Sequence, residues 1–379
     1  MTIERPFKTT YNWDHLEKVL RRETTEGPVP IIELFADAEI MSEVTGIDFP
    51  SARAAELFTQ AADAIADNES LELGIRLIEL SIAFSKAVGY DYVTTIPAVP
   101  LKKTSRALAE DQDMRRGKRG WMEEHKGILS SRQDFERYQW PSLDQVNLLP
   151  IDYVGGQLPQ GMKAMVMVQG IFEDLKEMMG LQQMAIKSIE EPDLLDDILE
   201  QLTVLAVHTT DIAAAHPATG GIFYAEDMGG NNGPLLSPRF MRKYIIPRQQ
   251  RIAEACHKHN KPFLIHACGQ LMPIMDDLVG TVGIDAKHSY QDGVQPVEET
   301  YRKYHDRIAI LGGLDIELMT HGSVQQVKAR TRQILEHCAP GGGYCMGTGN
   351  SVANYVKIEN YYAMLDETRK WNEEHGYKW

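Results

Sequence analysis

Residues 262–269 read PFLIHACG. The run is short and apolar and ends at a glycine, so it predicts a buried strand. Side chains two residues apart on a strand project from the same face, which points His266 and Cys268 together into a cavity. Cys345 lies in another short apolar run, 343–346. One imidazole and two thiolates are typical of a catalytic zinc site with one open position, so we predict that His266, Cys268 and Cys345 are metal ligands.

A plainer interpretation of these residues is two buried apolar cysteines and a hydrogen-bonded core histidine. The pairing of His266 with Cys268 on one strand face favours zinc over that interpretation. Of the other two cysteines, Cys256 lies in the middle of a predicted helix and Cys338 lies near the end of another, and we predict that both pack in the core.

Short apolar runs that alternate with helical segments predict the fold. The predicted strands are 29–35, 92–96, 164–169, 222–225, 262–268, 284–288, 308–311 and 343–346. The predicted helices include 71–88, 171–187, 193–214, 238–259, 323–338 and 357–374. Eight alternating β and α units predict an α/β protein with the (β/α)8 architecture of a TIM barrel. A doubly wound open sheet is the alternative.

Two segments lie outside a minimal barrel. Residues 1–28 form a predicted helical lead-in, with a helix at 13–22, and residues 97–163 form a long insertion after the second predicted strand. Long insertions at the carboxyl ends of barrel strands usually shape the mouth of the active site. We find no internal repeat and no linker, so we predict one domain over residues 1–379.

The composition excludes several classes of partner. The net charge of −15 argues against sequence-independent nucleic-acid binding, which needs a basic surface. No apolar run approaches the length of a membrane span, and the first residues lack the apolar core of a signal peptide. The four scattered cysteines then predict reduced thiols in the cytoplasm. A homodimer is a further expectation.

Acidic side chains at predicted strands are candidates for catalysis. Glu226 and Asp227 follow the strand 222–225 beside a glycine-rich loop, where they would serve as general acid, metal ligand or substrate anchor. Glu33 lies inside the apolar strand 29–35, and a buried carboxylate needs a partner or a metal. Capping of a loop is the alternative for the first two, and a structural ion pair is the alternative for Glu33.

Polar residues at the predicted barrel mouth are candidates for binding a cofactor or substrate. Asn231 lies in the glycine-rich loop, Asp315 follows the strand 308–311, and Asn350 follows the strand 343–346. Capping of turns is the alternative role for Asn231 and Asn350, and the mouth position of Asp315 is by itself a weak signal. Lys287 and His288 also occupy mouth positions, but each alone is a weak signal.

The motifs together resemble the uroporphyrinogen decarboxylase superfamily, and within it the methylcobamide:coenzyme M methyltransferases and related corrinoid-dependent enzymes. The matching elements are His-x-Cys at 266–268 with the distant Cys345, the segment EDMG at 226–229, and GGLD at 312–315. The resemblance implies a TIM barrel and Zn²⁺ held by His266, Cys268 and Cys345. It also implies methyl transfer between a small-molecule donor or thiol acceptor and the cobalt of a corrinoid (methylcobalamin), which a partner protein carries.

Two departures separate this chain from true uroporphyrinogen decarboxylases. Those enzymes carry an arginine-rich motif near their first strand, where this chain reads LFADAE at 34–39. They also carry Gly-His-Gly where this chain has Gly347-Thr348-Gly349. A substrate with many carboxylates would find no arginine here, so methyl transfer is the favoured activity. A cofactor-free decarboxylase and a non-catalytic barrel that binds a corrinoid or another ligand are the alternatives.

Overall fold

The computed structural model describes residues 7–8, 10–50, 68–103, 107–109, 119–121 and 127–377. Parts of the predicted lead-in (1–28) and of the predicted insertion (97–163) therefore lie outside the described residues. The assignment of residues 1–379 to one domain stays a prediction.

A curved parallel sheet of seven strands forms the centre of the molecule. The strands are β1 (Tyr92–Thr95), β2 (Lys163–Gln169), β3 (Thr219–Glu226), β4 (Phe263–Ala267), β5 (Ala286–His288), β6 (Ala309–Leu311) and β7 (Tyr344–Cys345), and they pair in chain order. Each agrees with a predicted strand to within a few residues. Two antiparallel pairs lie outside this sheet: Ala107–Ala109 with Arg119–Trp121, and Gly229–Gly230 with Gly233–Pro234.

The segment around Ile31 closes the sheet between its two edge strands. Ile31 forms a parallel bridge with Met346, and two backbone hydrogen bonds of 2.8 Å connect this segment to the residue after β7. On the other side, the Tyr92 hydroxyl of β1 donates to the Glu33 carbonyl at 2.7 Å and accepts from the Glu33 amide at 2.6 Å. The predicted strand 29–35 thus occupies the eighth position, and the predicted barrel is confirmed.

Helices cover the outside of the sheet. They are α1 (Trp13–Leu20), α2 (Ala38–Thr45), α3 (Asn68–Val88), α4 (Arg132–Arg137), α5 (Leu149–Gly155), α6 (Ile171–Met179), α7 (Leu181–Glu190), α8 (Pro192–Ala215), α9 (Pro238–Phe240), α10 (Ile246–His257), α11 (Met275–Asp277), α12 (Val297–Tyr304), α13 (Ile316–His321), α14 (Val324–Cys338) and α15 (Ile358–Glu374). Short 3₁₀ turns lie at Leu143–Gln145 and Met272–Ile274, and π turns at Met241–Ile245 and Leu278–Val282.

Local chemistry explains where these helices begin and end. The Ser237 side chain accepts a hydrogen bond from the Phe240 amide at 3.2 Å, so it caps α9, and Pro238 takes the first helical position. The predicted helix 171–187 is two helices, because Gly180 between α6 and α7 has a φ of +84° that ends the first one. Among the described helices, none is both long and apolar enough to cross a membrane.

Pairing between neighbouring strands links His266, His288 and Cys345 around the sheet. His266 pairs with Ala225 of β3 and with His288 of β5, and His288 pairs in turn with Leu311 of β6. Leu311 pairs with Cys345 of β7. Strands in a barrel tilt and stagger, so residues linked by register around the sheet do not stay at one height along the barrel axis.

Candidate active site

The strongest candidate site lies at the carboxyl end of β4. His266 is 6% exposed, and its Nε2 lies 3.3 Å from the Sγ of Cys268. Cys268 comes directly after the strand and remains partly exposed. The predicted convergence of these two side chains is therefore present in the structure.

A second imidazole lies directly behind His266. The Nδ1 atoms of His266 and His288 are 2.8 Å apart, and the Nε2 of His288 is 3.0 Å from the carbonyl oxygen of Thr348. Burial lowers the pKa of His288 to about 4 and the pKa of His266 well below its usual range, and the nearby Lys287 charge acts in the same direction. Both rings are consequently neutral at physiological pH.

Two further side chains from outside β4 contact the Cys268 sulfur. The Asn350 side-chain amide donates to Sγ at 3.4 Å, and the Ser289 hydroxyl lies 3.7 Å from the same atom. The Ser289 hydroxyl also donates to the Gly349 carbonyl at 2.8 Å. The backbone of Ser289 has a φ of +96° here, a conformation that residues other than glycine adopt only at a cost in energy.

Without a metal, His266 and Cys268 form a neutral pair. Burial raises the pKa of the Cys268 thiol to about 11, and the charge of Asp227 raises it further. Since burial also lowers the pKa of His266, proton transfer from thiol to imidazole is unfavourable. The pair is therefore poorly suited to act alone as a nucleophile and its base, whereas a bound divalent cation would replace the thiol proton.

Cys345 does not join this pair. Its side chain is completely buried in β7, and burial raises the pKa of its thiol far above the usual value, with a smaller contribution from the charge of Asp91. The residues of this segment that do reach the site are Thr348, at His288, and Asn350, at Cys268. Barrel strands are staggered, so the register that links Cys345 to His266 through β6 and β5 does not by itself bring their side chains together.

Within the described ranges, no group of three or more His, Cys, Asp and Glu side chains is arranged to hold a metal ion. The structure thus assembles two of the three predicted ligands, His266 and Cys268, and leaves Cys345 apart from them.

The buried Glu33 lies at the far end of the same polar cluster. Its carboxylate accepts from the Thr348 amide at 2.8 Å and contacts the Thr348 hydroxyl. Burial raises the pKa of Glu33 to about 8, although both contacts with Thr348 oppose the shift. Glu33 therefore holds Thr348 in place and does not itself touch His266 or Cys268.

Glu226 and Asp227 are neighbours with different environments. The buried Glu226 accepts from the backbone amides of Phe172 at 3.3 Å and Glu173 at 3.0 Å, and from the Gln249 side chain at 3.0 Å. It thereby caps α6, and burial raises its pKa to about 7. Asp227 is half exposed and forms an ion pair with Lys176 at 3.1 Å. Of these two acids, Asp227 is the one whose charge acts on Cys268.

The three predicted cofactor-binding residues occupy different places. Asn350 contacts the Cys268 sulfur, as described above. Asp315 is the N-cap of α13, because its side chain accepts from the Glu317 amide at 2.7 Å. Asn231 is exposed at the turn between the two short strands 229–230 and 233–234. A binding role for each stays a prediction.

That turn, residues 229–234, packs against the loop that carries Cys268. The Gln270 amide donates to the Gly230 carbonyl at 2.8 Å. A Cβ on Gly269, whose φ is +79°, would collide with the backbone of Gly229. Glycine at 269 is therefore needed for the close approach that builds this wall of the barrel mouth.

A family comparison agrees with this architecture. The family model described as Uroporphyrinogen decarboxylase (URO-D) matches residues 125–371, well over half of the sequence. The chain belongs to the URO-D family. The superfamily predicted from the sequence motifs is thereby confirmed.

Two proteins similar to this URO-D family member share less than a quarter of their aligned residues with it. Uroporphyrinogen decarboxylase from Thioalkalivibrio sulfidiphilus (strain HL-EbGR7) is 24% identical over 180 residues, which cover 45% of this chain and about half (47%) of that protein. A solved methyltransferase from Methanosarcina mazei superposes with a TM-score of 0.69 over 96% of this chain and 99% of that one, at 17% identity. At this identity the likeness shows a common fold.

The sequence does not indicate the roles of Ser289, Thr348 and His288 in this URO-D family site. Ser289 and Thr348 carry no motif that marks them, and His288 is marked only by its place at the end of the predicted strand 284–288. The signal that identifies His288 is its register with His266 on the neighbouring strand. Register between two parallel strands joined by a long crossover cannot be read from one sequence, because no tight turn fixes it.

Proposed function

We propose that this URO-D family member is a zinc-dependent methyltransferase that moves a methyl group between a small molecule and the cobalt of a corrinoid carried by a partner protein. The observation that carries the proposal is the pair of His266 Nε2 and Cys268 Sγ, 3.3 Å apart at the carboxyl end of β4. In barrel enzymes this end of the strands surrounds the active site. The small molecule is a thiol acceptor or a methylated donor such as a methyl ether.

The donor atoms of the pair fit zinc. Imidazole nitrogen and thiolate sulfur are preferred zinc ligands, and bonds of about 2.0–2.3 Å to one ion are compatible with a nitrogen–sulfur separation of 3.3 Å. Cys345 does not fit as the third ligand in this arrangement, so His266 and Cys268 would hold the ion. When bound, zinc supplies a Lewis acid that keeps a substrate thiol deprotonated or polarises a methylated oxygen, sulfur or nitrogen.

Neighbouring side chains affect the ionisation of the Cys268 thiol. Cys268 must give up its proton to become a ligand, and the Asn350 amide donates to its sulfur, which stabilises the thiolate form. The negative charge of Asp227 opposes that ionisation in the metal-free protein. It would instead be attracted by a bound divalent cation, so Asp227 is the acid that we propose acts at the open side of the site.

The decisive experiment combines metal analysis with a methyl-transfer assay. Purified protein should contain about one zinc per chain and should demethylate methylcobalamin with a thiol acceptor, or methylate reduced cobalamin from a methyl ether. Cys268→Ala should lose both zinc and activity. Cys256→Ala, which alters a fully buried cysteine of α10 on the outside of the sheet, is the matched control and should keep both. Full methyl transfer by zinc-free protein would overturn the proposal.

Decarboxylation is the second candidate, and the family name itself favours it. Against it, the residue that follows the first strand segment as N-cap of α2 is the acid Asp37, whose carboxylate accepts from the Asn354 amide at 2.9 Å. An acid at this position would repel a substrate with many carboxylates. Release of carbon dioxide from a porphyrinogen by chelator-treated protein would establish this activity. Binding of a corrinoid without turnover in either assay would instead indicate a non-catalytic barrel.

A further inference from the structure

We propose that His288 is a positioning residue that fixes the tautomer of His266 and so aims the free lone pair of His266 Nε2 at the metal position. This inference rests on the proposed function and deepens it, because it assigns the part of the site that prepares the metal ligand. It is carried by a continuous chain of contacts from Thr348 through both imidazoles to Cys268.

The chain begins at an atom that can only accept. The Thr348 carbonyl oxygen is 3.0 Å from His288 Nε2, so that nitrogen must carry the hydrogen of the bond. A neutral imidazole with hydrogen on Nε2 has a lone pair on Nδ1. The His288 Nδ1 lone pair then accepts from the Nδ1–H of His266 at 2.8 Å. The remaining nitrogen of His266, Nε2, is left with its lone pair 3.3 Å from the Cys268 sulfur.

Burial enforces this assignment. His288 is 0% exposed and its ring lies edge-on to Phe223 with centroids 5.8 Å apart, so bulk water does not compete for the two Nδ1 atoms. Reversal of the tautomers would leave His288 Nε2 and the Thr348 carbonyl as two lone pairs facing each other. Burial of two unsatisfied polar groups is costly, so one tautomer is dominant.

The carbonyl at the start of the chain is itself held in place. The Thr348 amide donates to the carboxylate of Glu33 at 2.8 Å, and the Thr348 hydroxyl contacts the same group. Gly312, with a φ of +72°, passes so close that a Cβ there would collide with the Thr348 carbonyl oxygen and lie 2.9 Å from His288 Nε2. Glu33 and Gly312 therefore support the positioning function without contact to Cys268.

A metal-binding imidazole needs its second nitrogen protonated and oriented by a partner. Loss of such a partner typically lowers metal affinity by about 10–100-fold. His288→Phe keeps an aromatic ring but removes both nitrogens, so zinc affinity should fall within that range. His288→Asn places an amide oxygen near the former Nδ1 and should restore most of the affinity. His257→Phe alters a histidine of α10 that pairs with Asp285 at 2.8 Å, away from the site, and should leave affinity unchanged.

The test is ¹⁵N NMR of the histidine rings in metal-free protein, together with zinc titration of the wild type and the three variants. In the wild type, His266 should be protonated at Nδ1 and not at Nε2. In His288→Phe that preference should be lost, or, if this variant does not fold, the wild-type spectrum alone decides. His266 protonated at Nε2 in the wild type would overturn the inference, as would unchanged zinc affinity in a folded His288→Phe.

These outcomes separate the two proposals. A wild-type protein that shows the expected tautomer but binds no zinc keeps the positioning role and refutes the zinc enzyme. A protein that binds zinc while His266 has no fixed tautomer keeps the enzyme and refutes the role of His288.

Discussion

The end of β4 and the interior of β7 each present a cysteine, and their surroundings differ. Cys268 has an imidazole nitrogen at 3.3 Å and an amide donor at 3.4 Å, and it is partly exposed. Cys345 is completely buried within its strand. Burial raises the pKa of both thiols, so burial alone does not distinguish them. The two thiols differ in the polar groups beside the sulfur atom, because only Cys268 has an imidazole nitrogen and an amide donor there among the contacts described.

The two cysteines also differ in how the sheet relates them to His266. Cys345 is linked to His266 only by register through β6 and β5, whereas Cys268 follows His266 on the same strand. Of the residues that follow β7, Thr348 contacts His288 and Asn350 contacts Cys268. Residue type alone therefore does not define a ligand set in a barrel, because strand stagger separates residues that register links.

Replacement of each cysteine by alanine gives the largest expected contrast. Cys268→Ala should weaken zinc binding by more than about 100-fold, beyond the usual effect of losing an outer partner. Cys345→Ala should keep zinc and lose about 1 kcal/mol of stability, because it removes a small buried group. Metal content by mass spectrometry and urea unfolding of both variants measure these effects. Equal loss of zinc in the two variants would mean that Cys345 moves to the metal and that both cysteines are ligands.

Replacement of Gly312 by alanine is the next largest effect. The Cβ would adopt an unfavourable φ and would also press on Thr348 and His288, so we expect a loss of about 3 kcal/mol. Gly283 is the matched control: its φ of +77° is similar, but nothing lies within 4 Å of a Cβ there. Gly283→Ala should therefore lose only about 1–2 kcal/mol. Equal losses in urea unfolding would show that Thr348 and His288 are not packed as described.

Replacement of Glu33 by glutamine should produce a smaller effect that depends on pH. Its pKa is about 8 in the folded protein, against an ordinary value of 4.5, so the folded state holds a proton that the unfolded state releases. The stabilising contribution is complete below about pH 4.5 and is lost as the pH rises through 8. The wild type should thus lose stability across this window, by at most about 1.4 kcal/mol per pH unit from this group, and Glu33→Gln should lose less.

Urea unfolding at a series of pH values measures how steeply the free energy of unfolding changes with pH. Glu226→Gln provides the comparison. The pKa of Glu226 is about 7, so its share of the slope should end at a lower pH than that of Glu33. A Glu33→Gln slope identical to the wild type would show that Glu33 is ionised in the folded protein. Our interpretation of Glu33 as a protonated partner of Thr348 would then be wrong.

Much of the fold could be predicted from the sequence. Apolar runs predict the strands of the barrel to within a few residues, and the predicted helix 193–214 corresponds to α8, where Leu194, Leu195, Ile198, Leu202 and Leu205 are buried. The break at Gly180 was missed, because an isolated glycine within a helical pattern is compatible with a continuous helix until its φ is known. The spacing of apolar residues and the residues that end a helix or strand are local properties of the sequence, so these elements could be predicted from it.

The site was less predictable. The pairing of His266 with Cys268 follows from the two-residue period of one strand, and the structure places His266 Nε2 and Cys268 Sγ 3.3 Å apart. The place of Cys345 and the partnership of His288 depend on register and stagger between strands that are distant in the chain. The contacts of Glu226 with the first turn of α6 could not be predicted either, since they depend on where α6 begins.

The left-handed backbone of Ser289 has a consequence for laboratory evolution. Glycine would adopt a φ of +96° without strain, so Ser289→Gly should relieve part of the roughly 1–3 kcal/mol that such a conformation costs. A screen that rewards only heat resistance would then enrich this substitution. It would also remove the hydroxyl that lies 3.7 Å from the Cys268 sulfur. Selection for survival of the fold and selection for chemistry at the sulfur would therefore act on this codon in opposite directions.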